Sequence, residues 1–228
     1  MRVSAGMLAL LVLGGGAAVA SRVAGRIVIL EKDNKPSPDL GDAVVYLEGP
    51  ATAATAATPV TVDIAITDKV YAPHVVVVPV GSTVRFPNHD PFKHNVFSVS
   101  EPNTFDLGLY SRGEAKSQTF QHAGLVRVYC NVHPRMVAYV LVMANRLHAQ
   151  PGQDGSFTIE NVPPGRHRLH VWHERIPTEV IKEVTVSTRE GGAGGDLQIS
   201  LNARGYKWQP HRNKHGRNYP TNAGRERY

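Results

Sequence analysis

The sequence predicts an all-β protein built from two β-sandwiches, and three observations carry that prediction. The apolar runs are short and rich in Val, Ile, Tyr and Phe, as strands are. Gly (21 residues) and Pro (16) punctuate them, as turns require. No convincing helical period appears outside a turn or two near 106–116. Hydrophobic residues make up 42% and charged residues 19% of the 228, enough apolar material to fill a packed core.

Residues 1–20 are a different material. Arg2 precedes the apolar run Met7–Leu13, and Ala18-Val19-Ala20 closes it with small residues. That order predicts a secretory signal peptide cleaved after Ala20, and hence a periplasmic or otherwise exported protein. The apolar run is short for a membrane anchor, the alternative reading.

Strands are predicted at 25–30 (GRIVIL) and 43–48 (AVVYLE), with a turn-rich loop from Lys32 to Asp42 between them. Residues 51–59 (ATAATAATP) are low in complexity and read as a linker. Residues 60–144 then supply strand candidates at 75–80, 82–86, 95–99, 125–130 and 137–143. A third stretch, 145–202, repeats the style with strands near 167–173, 179–186 and 197–201.

Residues 25–50 alone are too few to bury a core. The run DGSFTIENVPPGRHRLHV (154–171) resembles the transthyretin-like, carboxypeptidase-regulatory β-sandwich, which opens with a strand, a loop and a second strand. The resemblance implies one discontinuous sandwich made of 25–50 and 145–202, with 60–144 inserted as a second domain.

The basic charge is local. Residues 203–228 hold seven Lys and Arg against Glu226 alone. With Arg2 and those seven set aside, 17 of the 25 basic residues face 18 of the 19 acidic ones, so the folded body is near neutral. That excludes a nucleic-acid-binding fold, whose cations belong on the folded surface. Few aliphatic residues lie in 203–228, which predicts a disordered tail. Such a tail suits docking to an acidic redox partner or an anionic membrane surface.

Chemistry concentrates around the single cysteine, Cys130. The segment Val128–Met136 reads Cys-x2-His-x2-Met between two apolar strands, which sets Cys130, His133 and Met136 within seven residues. Alternation puts Val126, Val128 and Cys130 on one inward face, so the thiol ends at the rim of a core. Two histidines, a thiolate and a weak axial thioether suit one copper ion in an electron-transfer role. The second histidine must come from Phe86–Val96, which offers His89 and His94. His94 is preferred because it begins a predicted strand, whereas His89 sits in a Pro- and Asp-rich loop. Taken singly, each residue has a plain structural reading. A lone Cys is usually buried filler, a loop His is polar surface, and Met136 is core.

VVPVGSTVRFPNHDPFKHNV followed by VYCNVHPRM resembles a cupredoxin of the plastocyanin, pseudoazurin and amicyanin type. The inserted arrangement is similar to proteins described as methylamine-utilisation-like. The resemblance implies a Greek-key β-sandwich, the ligand set His94, Cys130, His133 and Met136, and Asn95 bracing the ligand loop by hydrogen bonds. The expected electron-transfer edge is the exposed side of His133, rimmed by Pro91, Phe92 and Pro134. Copper would cycle between Cu(I) and Cu(II) and pass electrons to a partner such as a c-type cytochrome or a dehydrogenase.

Two other histidine arguments fail. His167, His170 and His173 look clustered, but strand alternation turns His170 away from the other two, which lie about 20 Å apart along a strand. Asp154 before Gly155 is explained by turn chemistry. No nucleophile–base pair or paired carboxylates appear, so the expectation is a non-enzyme. The alternative function is copper binding or delivery without electron traffic.

Overall fold

The computed structural model describes residues 21–32, 35, 37–49, 55–187 and 197–220. The expected signal peptide, residues 51–54 of the expected linker and the last eight residues of the chain lie outside them. Among the described residues no helix is long and apolar enough to cross a membrane.

The chain opens with β1 (Val23–Leu30), a 3-10 turn (Leu40–Asp42) and β2 (Val44–Leu47). Ten strands follow: β3 (Thr61–Asp63), β4 (Ala65–Thr67), β5 (Val70–Ala72), β6 (Val75–Pro79), β7 (Thr83–Pro87), β8 (His94–Ser98), β9 (Phe105–Tyr110), β10 (Ala115–Thr119), β11 (Gly124–Cys130) and β12 (Val137–Met143). The last five are β13 (His148–Ala149), β14 (Ser156–Ile159), β15 (Gly165–Trp172), β16 (Val180–Val186) and β17 (Leu197–Asn202). The expected all-β class is what the structure shows. The helical turns near 106–116 are instead β9, a tight turn and the start of β10. Gly108 and Gly113 take positive φ there (66° and 83°), a conformation that interrupts any helix.

β6-β12-β11-β8-β9 form one sheet, faced by β10-β7-β3. Between them lies a core that includes Val84, Phe86, Val96, Val126, Val128, Cys130 and Val140, all 0% exposed. Each such aliphatic or aromatic side chain contributes roughly 1.5–3 kcal/mol by leaving water. The inward row Val126, Val128, Cys130 is the one that alternation predicts, and it delivers the thiol to one end of this core.

β1 and β2 find their partners beyond that unit. β1 lies between β14 and β17, and β2 between β13 and β15, giving sheets β14-β1-β17 and β13-β2-β15-β16. They enclose a separate core with Ile27, Val45, Leu47, Leu169, Val171 and Leu201. A third cluster, Val44, Val75, Leu141, Met143 and Trp172, joins the two units, and His74 Nε2 meets Glu174 Oε1 at 2.8 Å beside it. The chain crosses back where Arg146 N–H donates to Thr55 O, so entry to and exit from the insert are tied together.

Residues 203–220 differ from expectation. Lacking aliphatic side chains, this stretch was expected to be mobile. It runs instead across the Cys130 end of the first sandwich, held by rings and hydrogen bonds. His211 stacks on Tyr129 with centroids 4.4 Å apart and planes at 21°, and Tyr219 meets His211 edge-on at 5.3 Å. Aromatic contact and satisfied polar groups supply what aliphatic burial does not.

Candidate metal centre

Three ligand atoms converge at the rim where β8 and β11 end side by side. Cys130 Sγ lies 3.6 Å from His94 Nδ1 and 3.7 Å from His133 Nδ1, and the two Nδ1 atoms are 3.2 Å apart. All three residues are buried, His94 and Cys130 completely. Among the described residues this is the one group of three or more His, Cys, Asp or Glu compact enough to hold a metal ion.

The triangle can be tested against a metal. A point equidistant from its corners lies roughly 2.0 Å from each, close to metal–imidazole bonds of about 2.0–2.1 Å and somewhat inside a metal–thiolate bond of about 2.3 Å. The residues fit a first-row metal with only a small outward shift of the sulfur.

Local structure explains the convergence. Tyr129 and Cys130 pair with Phe97 and Val96 of β8, which sets the end of β11 beside the start of β8. After Cys130 the chain turns back. Met136 N–H donates to His133 O at 3.2 Å, and Asn131 N–H to Asn95 O at 2.9 Å. Met136 is 2% exposed in the same core. Asn95, expected to brace the loop, meets it through its backbone oxygen, while its side-chain amide donates to Asp106 Oδ1 at 2.6 Å.

Electrostatics favour a thiolate only with help. Burial pushes the Cys130 thiol up, although the backbone N–H groups of Asn95, Val132 and His133 pull it down. A cation at the centre would complete that stabilisation. Burial likewise holds the His94 imidazolium disfavoured, against the raising pull of Asp90.

Asp90, which the sequence analysis did not single out, contacts this group. Burial raises its carboxyl, but N–H donors from Lys69 and Asp68 and the contact with His94 outweigh it, leaving the group below its ordinary value. As a carboxylate it only accepts, so His94 Nε2–H donates to Asp90 Oδ2, at 2.8 Å. That fixes the tautomer, with the Nδ1 lone pair aimed at Cys130. Asp90 is itself held by Asp68 N–H at 2.6 Å and Lys69 N–H at 2.9 Å. Both residues take positive φ (54° and 60°) at the two-residue turn joining β4 and β5, the geometry of a tight hairpin. The four-residue interval from Asp90 to His94 was the available signal, but only the folded loop brings the groups together.

His89, the alternative ligand, is exposed and outside the group. The expected exposed edge of His133 needs correction, because only 5% of the residue is accessible. The Phe92 ring sits 5.7 Å from the His133 ring and 5.4 Å from that of His94, and the residue 203–220 segment reaches His133 O. Pro91 is exposed, and Phe92 and Pro134 are half-buried, so this rim rather than the imidazole meets solvent.

No protein-family model matches the sequence, and no curated relative does either. Among solved structures the chain is similar to a purple cupredoxin from Nitrosopumilus maritimus, with 27% identity over 36% of this chain and 98% of that one, at a TM-score of 0.32. It is also similar to a reduced amicyanin variant, with 30% identity over 45% of this chain and 99% of that one, at 0.35. A copper-containing nitrite reductase from Thermus scotoductus SA-01 shows 24% identity at 0.35, and the chain spans 28% of that protein's length.

Proposed function

We propose that this chain is an exported protein in which His94, Cys130, His133 and Met136 would hold one copper ion, and that it carries single electrons rather than catalysing a reaction. The observation that carries the reading is the buried triangle of two imidazole nitrogens and one sulfur, 3.2–3.7 Å apart, with His94 at the start of β8, Cys130 at the end of β11 and His133 on the loop that follows. Soft thiolate and imidazole donors suit copper and accommodate both of its oxidation states. Copper, when bound, supplies the one-electron redox change. The chain's own residues do the rest. Asp90 orients His94, the backbone N–H groups around Cys130 favour the thiolate, and Phe92 with the covering segment keeps water from the ring nitrogens.

Electrons would enter or leave through the Pro91, Phe92 and Pro134 rim. Beside it Arg135 stacks on Trp208 at 4.8 Å, and Lys207, Arg212 and Arg217 are exposed. That cationic surface supports an acidic protein partner, such as a c-type cytochrome or a dehydrogenase, with an anionic membrane surface as the other candidate. The signal-like residues 1–20 support a periplasmic location. On the same reading the outer sandwich is transthyretin-like.

The test is an optical and EPR spectrum of the protein loaded with Cu(II), followed by repeated reduction and reoxidation. One equivalent of copper, an intense thiolate-to-copper band and clean cycling are expected. A colourless protein, or one that keeps only Cu(I) and exchanges it readily, would turn the reading toward copper delivery.

A further inference from the structure

The segment after β17 meets the ligand loop at successive points. Tyr219 Oη–H donates to Cys130 O at 2.9 Å. Lys214 N–H donates to Asn131 Oδ1 at 3.0 Å. His211 Nε2 reaches His133 O at 3.4 Å, and the His211 ring covers Tyr129. Lys214 Nζ also pairs with Asp106 Oδ2 at 2.6 Å, the carboxylate whose other oxygen accepts from Asn95. The segment is shaped for the task by its own turn. Asn213 Oδ1 accepts the N–H groups of His215 and Arg217, and Asn213 N–H donates to Arg217 O.

Three loop groups, Cys130 O, Asn131 Oδ1 and His133 O, are thus engaged by one strap, the last of them in addition to its bond from Met136 N–H. Two of them belong to ligand residues. A ligand-bearing loop must be held to within about 0.5 Å to keep its geometry, and loops do this less well than strands. Here the seven-residue loop from Cys130 to Met136 has few bonds of its own, and the strap provides the missing support.

We infer that residues 207–220 are a clamp on the metal centre, with Tyr219, His211 and Lys214 as positioning residues that hold the Cys130–Met136 loop ready for its metal and slow its opening afterwards. The inference rests on the copper reading of the same site. Clamp and metal must then support each other equally, because coupling between two binding events is reciprocal.

The experiment compares the full chain, a chain ending at Tyr206, and Tyr219→Phe, which removes one donor and keeps the ring. Each is loaded with Cu(II). Copper release to a chelator, the reduction potential and the thiolate band are measured, together with trypsin cleavage after Arg212 and Arg217 in the full chain with and without copper. Truncation is expected to speed release about tenfold and to shift band and potential. Tyr219→Phe should move all three the same way by less, and copper should slow cleavage after both arginines. Release rate and potential unchanged by truncation and by Tyr219→Phe would overturn the clamp and leave the metal centre standing. A full chain that takes no copper would overturn both.

Discussion

Two groups of histidines lie in this chain, and they behave in opposite ways. His94 and His133 come from different elements and turn their Nδ1 atoms toward each other and toward Cys130. His167, His170 and His173 come from one strand and its end, and each ring finds a separate partner. His170 lies between Glu179 Oε2 at 3.2 Å and Glu48 Oε2 at 3.3 Å, His173 Nε2 lies 3.3 Å from Asp39 O, and His167 Nε2 donates to Pro163 O at 2.7 Å. Nearness in sequence made the second group look like a site, and carboxylates and carbonyls already satisfy it. Nearness in space makes the first, where one ring nitrogen, and not both, is committed to Asp90. A metal site is recognised by donors aimed at each other, and a structural histidine by a partner of its own.

The largest expected effect breaks the first group. Cys130→Ser exchanges a soft thiolate for a hydroxyl and should abolish the visible copper band, and His94→Ala should open the trigonal plane with similar loss. His89→Ala and His170→Ala should leave the spectrum unchanged. A persistent band in Cys130→Ser, or its loss in His89→Ala, would move the site elsewhere.

Next comes the support of the ring. Asp90→Ala frees His94 Nε2 and removes the tautomer lock, and copper affinity should fall about 10- to 100-fold in a competition titration. Wild-type affinity would show that the Asp90 contact orients nothing. Met136→Gln is milder, because an axial thioether bonds weakly. Copper should stay bound with a shifted potential, and outright loss of the metal would argue against the axial role.

The smallest effect separates a third kind of histidine. Burial lowers His74, but the Glu174 contact outweighs it and holds His74 above its ordinary value of 6.5. Its contribution is therefore complete below about pH 6.5 and disappears as pH rises through the raised value. Glu174 is raised by burial and lowered further by His74, ending below its ordinary 4.5, so its contribution fades as pH falls through the lowered value. The pair should be strongest in the mildly acidic window between. His74→Gln should cost about 1 kcal/mol there, and less at pH 9, in chemical denaturation. A cost that grows with pH would reverse the assignment.

How much of this was legible in the sequence follows from what each feature needs. β11 was readable because alternation depends on the residues in the strand alone, and it places Cys130 at a core rim without further information. The Cys130–Met136 spacing brings three donor residues onto one loop. Asp90 was not readable, since its role depends on a loop fold and on N–H groups supplied by the turn at Asp68 and Lys69. The covering segment was misread for a related reason. Composition averages over 203–228, whereas its placement depends on a few side chains meeting particular partners, His211 on Tyr129 and Tyr219 on Cys130 O.

The outer sandwich has a consequence for the order in which the chain can assemble. β1 pairs with β14 and β17, and β2 with β13 and β15, so both early strands have partners only beyond the insert. Gly25 sits opposite Leu197 in a parallel ladder that cannot close until nearly the whole chain exists. Contacts so distant in sequence form late, because the entropy of closing the intervening loop comes first. The insert, whose sheets are complete within residues 61–143, has no such wait. As the chain emerges, the sandwich bearing His94, Cys130 and His133 can fold while β1 and β2 still have open edges. The outer sandwich then closes beside a finished unit, and the clamp, which follows β17, is the last of the described parts to arrive.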